Sequence, residues 1–266
     1  VLIGKNGGGK SSTLHALYGA PKGYTCSDFW FSTEVDPIAE GGINRYFYGY
    51  RESSDSGIKE VMKTRMKRGS AKKKIDLDYW ETSRPKQKDG MLLSERNSPV
   101  DKEVIYLDFR AEVSAFDKIF HFSKEGLEDR KELLRSRSKY LKRLFENEDM
   151  RFPGVEDSKM GKIEILSPRV VEIIGSILNK QYSDIRVAEH RLFKNFGTSV
   201  YIKNKYATGY SEANAGSGEI AVVQLVRRIE KASEYALVLL DEPEVSLHPG
   251  AQKNLCLLYT SPSPRD

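Results

Sequence analysis

Apolar residues recur along this chain with two periods, and the period changes from segment to segment. Over residues 125–146, Leu127, Leu134 and Leu141 fall seven apart, with Leu133, Tyr140 and Leu144 beside them. That spacing lines one face of a 3.6-residue turn and predicts an amphipathic helix. The opposite face holds Arg130, Lys131, Arg135, Arg137, Lys139, Lys142 and Arg143. Ser167-Pro168, a cap residue followed by a proline suited to a first turn, predicts another helix with Val170, Ile174, Ile177 and Leu178 facing a core. Further helices are expected from residue 10 to about residue 18, closed by Gly19 and Pro21, from about 218 to 231, and after Pro249.

Period-two and β-branched or aromatic stretches predict strands at 28–35, 45–51, 103–109, 184–189, 199–203 and 236–240. The pair at 184–189 and 199–203 flanks Asn195-Phe196-Gly197, a hairpin turn. Residues 60–67 fit a strand or a short helix equally. Residues 69–101 are polar and broken by Lys72-Lys73-Lys74, Ser83-Arg84-Pro85 and Asn97-Ser98-Pro99, so they read as loop around a short strand at 78–81. Residues 236–240 are five consecutive apolar residues, which suits a strand buried on both faces of a parallel sheet. The fold class is therefore α/β, with an antiparallel β lobe and a helical lobe at about 110–182.

Composition narrows the picture. The chain has 266 residues, 39% hydrophobic and 30% charged, enough for one large domain or two small ones with a substantial core. No apolar run is long enough to cross a membrane, and no membrane partner is expected. Two cysteines, Cys26 and Cys256, make no disulfide framework, so a reducing cytoplasmic setting is expected. A net charge of +5 permits DNA as a partner without requiring it. The run Lys59, Lys63, Arg65, Lys67, Arg68 and Lys72–Lys74 and the basic face of the 125–146 helix are the two candidate phosphate-contacting surfaces. Tyr46, Phe47, Tyr48 and Tyr50 fit sheet packing better than base stacking.

The candidate chemistry begins at Gly4-Lys5-Asn6-Gly7-Gly8-Gly9-Lys10-Ser11-Ser12, after the apolar run Val1-Leu2-Ile3. It fits the phosphate-binding pattern G-x-x-x-x-G-K-[ST] at Gly4, Gly9, Lys10 and Ser11. Glycines let successive backbone N–H groups turn inward on phosphate oxygens, and the helix that follows aims its positive end at the same anion. Lys10 supplies a charge for the β- and γ-phosphates and Ser11 a hydroxyl for Mg²⁺. The apolar strand at 236–240 ends in Asp241-Glu242-Pro243. Acids at the C-terminal end of such a strand suit Asp241 to holding Mg²⁺ and Glu242 to orienting or deprotonating an attacking water.

Asn214-Ala215-Gly216-Ser217-Gly218-Glu219 precedes the next helix. With this segment the chain resembles the ABC-type ATPases, a P-loop NTPase superfamily built on a central, mostly parallel sheet. Ser217, Gly218 and Glu219 match the Ser-Gly-Glu form of their signature. The order Gly4–Ser11, then Ser217–Glu219, then Asp241–Glu242 is also theirs. Asp241-Glu242-Pro243-Glu244 followed by Leu247-His248-Pro249 is similar to the branch allied to overcoming-lysogenisation-defect nucleases, recombination proteins and phage-defence ATPases. The resemblance implies ATP with Mg²⁺, a homodimer closing head-to-tail around two nucleotides, and Ser217 capping a helix that faces the partner's γ-phosphate. It implies a switch serving DNA processing or defence, with an effector, a nuclease partner or a C-terminal domain. His248 is expected at the dimer seam or in packing.

Relatives place a Gln at a strand end between the phosphate loop and the signature, where this chain offers Asp108 and Arg110. The switch histidine is expected beyond residue 255. The tail from Cys256 to Asp266 resembles a translated sequencing adapter and is set aside, leaving 1–255 as the ATPase domain, a fragment expected to be inactive in turnover by itself. A nucleotide-gated sensor that needs no turnover is the alternative. A transporter ATPase ranks last, because roughly 230 residues between Lys10 and Asp241 exceed what transporter heads show.

Overall fold

The computed structural model describes residues 5, 7–37, 44–70, 73–92, 94–146, 161–192 and 197–260. The expected strand at Val1–Ile3, Gly4, Asn6, residues 195–196 of the hairpin turn and the tail from residue 261 lie outside them. The chain forms two compact units, Val1–Tyr106 with Ala232–Leu239, and Leu107–Lys231 with Leu240–Asp266.

The first unit opens on helix α1 (Lys10–Tyr18), which ends at Gly19 as the sequence predicts. The strand expected at 28–35 does not form. Thr25 accepts a bond from the Ser27 N–H and starts a 3-10 turn at Cys26–Asp28. The N–H groups of Phe29 and Trp30 then bond back to the Cys26 carbonyl at 3.1 and 2.8 Å. The aromatic side chains that looked like a strand face instead cover α1. Phe29 lies parallel to His15 at 4.0 Å between ring centroids, with Tyr18 and Tyr106 edge-on to Phe29. Burying such rings and setting their edges against faces stabilises the helix that follows the phosphate loop.

Strands β1 (Arg45–Tyr50), β2 (Lys59–Ser70) and β3 (Lys73–Ser83) form an antiparallel sheet in that order. Tyr48 sits opposite Val61, and Arg65 opposite Trp80. The ambiguous 60–67 segment is thus a strand. The short strand at 78–81 is a long one, reaching back to Lys73. Its polarity hid it: cross-strand ion pairs let a charged segment be a strand when each charge meets its partner. Arg65 grips Asp78 at 2.7 and 3.1 Å, and the Ser32 N–H donates to the other Asp78 oxygen.

Strand β4 (Val104–Asp108) begins in the first unit and ends in the second. The second unit continues with α2 (Ala115–Phe122), a helix the sequence reading missed, whose N–H at Asp117 is capped by Ser114. Helix α3 (Leu127–Phe145) buries Leu134, Leu141 and Leu144 and leaves Leu127 exposed. Strand β5 (Gly161–Ile165) interrupts the expected helical lobe, before α4 (Pro168–Leu178), capped by Ser167. Strands β6 (Tyr182–His190) and β7 (Gly197–Asn204) form the expected hairpin. With β5 and the short β8 (Tyr210–Ser211) they make an antiparallel sheet ordered β5-β6-β7-β8. Helix α5 (Ser217–Lys231), strand β9 (Leu237–Asp241), α6 (Pro243–Ser246) and α7 (Pro249–Thr260) complete the chain.

One core organises the second unit. Ile174 and Ile177 of α4, Ile185 and Val187 of β6, Val200 and Ile202 of β7, and Val222 and Leu225 of α5 are all fully buried in it. Each such side chain contributes about 1.5–3 kcal/mol relative to exposure. Strand β4 pairs with β9. Leu237 N–H bonds to Glu103 O at one end and Phe109 N–H to Asp241 O at the other, so the two strands run parallel. Among the described residues parallel pairing is confined to this ladder, whereas a mostly parallel sheet was expected.

Candidate nucleotide site

The phosphate loop lies in the first unit. Gly7 and Gly9 have φ of 75° and 81°, the left-handed region that a side chain makes costly, so the turn needs glycine there. Between them the Gly8 N–H bonds to Lys5 O at 3.0 Å and closes the loop. Gly9 stands at the N-cap of α1 and brings no side chain to the first-turn N–H groups, which leaves that helix end suited to an anion. The Gly9 carbonyl takes both the N–H and the hydroxyl of Thr13, at 2.9 and 3.0 Å. Lys10 reaches back to Lys5 O at 3.3 Å. Ser11, at the second position of α1, is half-buried, and Ser12 is exposed.

The strand-end acids lie in the second unit. Strand β9 ends at Asp241, which is 3% exposed. Glu242 follows with φ 52° and ψ 44° and caps α6. A left-handed non-glycine residue is a small reservoir of strain, of the sort found where a side chain must be aimed. At the end of the neighbouring β4, Asp108 binds Arg110 through two side-chain bonds of 2.9 Å, and the Arg110 backbone N–H donates to the same carboxylate. The shared Nη2 of Arg110 also donates to Asp241 at 3.4 Å. The Arg110 guanidinium is held more firmly protonated than usual, first by the Asp108 hydrogen bonds and then by Asp108, Asp241 and Glu242 as charges. Asp108 and Arg110 were legible as the pair standing where relatives carry Gln. The contact of Arg110 with Asp241 was not.

The signature segment lies in the second unit too. Helix α5 starts at Ser217, and the Gly216 carbonyl accepts from the Glu219 and Ile220 N–H groups. Ser217 is thus the first helical residue, exposed, rather than the cap expected of it. A Cβ on Gly218 would lie 2.1 Å from the Ser246 carbonyl oxygen, so α5 and the end of α6 meet backbone to backbone. Glu219 turns inward and is 5% exposed. It accepts from the hydroxyls of Tyr182 and Tyr210, the latter at 2.9 Å, and from Lys180 at 3.0 Å. Burial, then the Glu219 carboxylate, pushes the Tyr210 hydroxyl up to about 12 and raises Tyr182 further. The sequence reading placed Glu219 with the nucleotide contacts; its carboxylate is fixed among β6, β8 and the α4–β6 connection.

Sequence reasoning missed two polar networks in this unit. His190 and Ser199 lie 2.8 Å apart, and Ser199 donates to Glu212, which also takes the Val200 N–H at 2.9 Å. Arg227 of α5 joins Glu164 of β5 to Glu189 of β6. No local motif marks either one, because their members lie far apart in sequence. His248 accepts from the Gly250 N–H at 3.2 Å in the first turn of α7.

The two basic surfaces differ. On β2, Lys59 pairs with Glu52, Arg65 with Asp78, Arg68 lies 4.5 Å over the Tyr79 ring, and Lys63 is buried. Lys67 and Arg68 are nevertheless exposed, and Lys72 lies outside the described residues. On α3, Arg135, Lys139, Lys142 and Arg143 are exposed.

Among the described residues no group of three or more His, Cys, Asp or Glu side chains could hold a metal ion. A guanidinium already lies against the buried Asp241 carboxylate. No helix of the described residues is long and apolar enough to cross a membrane.

Neither a curated relative nor a solved structure matches the chain. The family model described as AAA domain, putative AbiEii toxin, Type IV TA system matches residues 1–265. A glycine turn at the start of α1, a buried acid ending β9 and this match across the chain lead to one conclusion: the protein belongs to that AAA-domain family, nucleotide-binding P-loop proteins that are generally ATPases.

Proposed function

We propose that the chain is an ATPase head of ABC type, which binds ATP with Mg²⁺ and pairs head-to-tail with a second copy as a switch in DNA processing or defence. The observation that carries this reading is the order of three motifs, Gly4–Ser11, Ser217–Glu219 and Asp241–Glu242. The loop N–H groups and Lys10 cradle and neutralise phosphates. Ser11 and Asp241 are assigned as magnesium ligands, and Glu242 as the group that orients or deprotonates the attacking water. Bound Mg²⁺ would supply neutralisation of the charge on the β- and γ-phosphates. Ser217 stands exposed at the start of α5, where a helix end favours an anion from a partner. The description of the family, a putative toxin of a type IV TA system, supports defence as the setting.

Nucleotide binding and mass decide the matter together. Calorimetry with ATPγS should show binding that Lys10→Ala abolishes. Light scattering of Glu242→Gln with Mg-ATP should show a dimer that Ser217→Arg prevents. Binding indifferent to Lys10 would sink the nucleotide assignment, and a monomer at saturating Mg-ATP would sink the head-to-tail one.

A further inference from the structure

Arg110 is the feature that the assigned chemistry leaves unused. Its guanidinium is about half exposed, yet it is not a loose surface side chain. Asp108 takes Nε and Nη2 as a fork at 2.9 Å each, and Nη2 then bridges to the buried carboxylate of Asp241 at 3.4 Å. Bidentate pairing fixes the plane of a guanidinium as well as its position. All three residues belong to the same unit and lie at the ends of the parallel strands β4 and β9.

We propose that Arg110 is a built-in counter-ion for Asp241, held by Asp108, which occupies the cation side of that carboxylate until a magnesium-bound nucleotide displaces it. The inference rests on the reading of Asp241 as a magnesium ligand. A carboxylate at 3% exposure has little water to stabilise its charge and needs a cation. Arg110 supplies a cation at that carboxylate internally. A divalent ion approaching the same carboxylate must compete with it. Arg110 therefore sets how much magnesium adds to nucleotide affinity. A lysine cannot copy this function fully, since an ammonium offers no planar fork to Asp108.

The test is a calorimetric comparison of ATPγS affinity in EDTA and in excess Mg²⁺, for the whole chain as wild type, Lys10→Ala, Arg110→Ala, Arg110→Lys and Asp108→Asn. The quantity read is the ratio of the two affinities, not turnover. Arg110→Ala is expected to enlarge that ratio about three- to tenfold. Arg110→Lys and Asp108→Asn should fall between it and wild type. An unchanged ratio in Arg110→Ala would overturn the proposal and leave the nucleotide reading standing. Equal losses in EDTA and in Mg²⁺ would overturn it too, and make Arg110 a phosphate ligand. Wild-type binding that ignores Lys10 would overturn the nucleotide reading, and this proposal with it.

Discussion

Gly218 and Ser246 approach so closely that a methyl group on the first would sit 2.1 Å from the carbonyl oxygen of the second. The contact joins the first turn of α5 to the segment that follows Asp241 and Glu242. Gly218→Ala must push the two backbones apart, at a cost of about 2–3 kcal/mol. Urea denaturation should show the midpoint falling at constant slope. An unchanged midpoint would mean that the segment yields freely.

Glu219 holds three donors from other elements, so Glu219→Ala leaves Tyr182 and Tyr210 without their acceptor in a half-buried place. The expected loss is about 2–4 kcal/mol, with Lys180 adding little because it is half exposed. Glu219→Gln, which keeps an acceptor, should lose less. Thermal melts of the two variants separate this from a role in nucleotide contact, which would alter ATPγS affinity at unchanged stability.

His190 gives a pH dependence. Burial lowers its pKa from the usual 6.5 to about 4. The Leu192 N–H donates to Nδ1, so Nε2 carries the proton and donates to Ser199, whose hydroxyl donates to Glu212. The folded protein keeps this histidine neutral while the unfolded chain protonates it. Its contribution is therefore present above pH 6.5 and is lost as pH falls toward 4, by about 3 kcal/mol in all. Glu212, whose pKa burial raises, acts with the opposite sign, because its folded form takes up a proton first. The difference in unfolding free energy between wild type and His190→Gln isolates the histidine. It should shrink steadily from pH 7 to pH 5, and a difference constant with pH would refute the account.

Arg65 belongs to the stretch that sequence alone offers as a DNA surface, but its fork is closed on Asp78 with both side chains mostly buried. Arg65→Ala should cost about 2–3 kcal/mol of stability by leaving Asp78 unpaired. Arg135, Lys139 and Lys142 on α3 are exposed instead. If duplex DNA binds, replacing these three with Ala should flatten the salt dependence of binding by up to about three counter-ions. Urea denaturation reads the first effect, and fluorescence anisotropy at several salt concentrations the second.

What could be read from sequence was local. Helix α1 declares itself through Gly9 before it and Gly19 after it, and α4 through Ser167-Pro168. The hairpin of β6 and β7 follows from two apolar runs. The strand expected at 28–35 failed because one side chain, Thr25, starts a turn that redirects the aromatics onto α1. The length of β3 was hidden because it is polar, and the pairing of its Asp78 with Arg65 of β2 cannot be read from the strand itself. Motifs located Lys10, Ser217, Asp241 and Glu242. They were silent on what each acidic side chain meets. The contact between Arg110 and Asp241 and the inward turn of Glu219 depend on residues 131 and 9 to 39 positions away.

Glu242 holds a backbone conformation that glycine or asparagine adopts more cheaply, at a cost of about 1 kcal/mol or more. A chain shaped for durability alone would not keep a glutamate there. In a thermal melt Glu242→Gly is expected to unfold no lower than wild type, and even slightly higher. On the proposed role of Glu242, the turn after β9 exchanges robustness for reactivity.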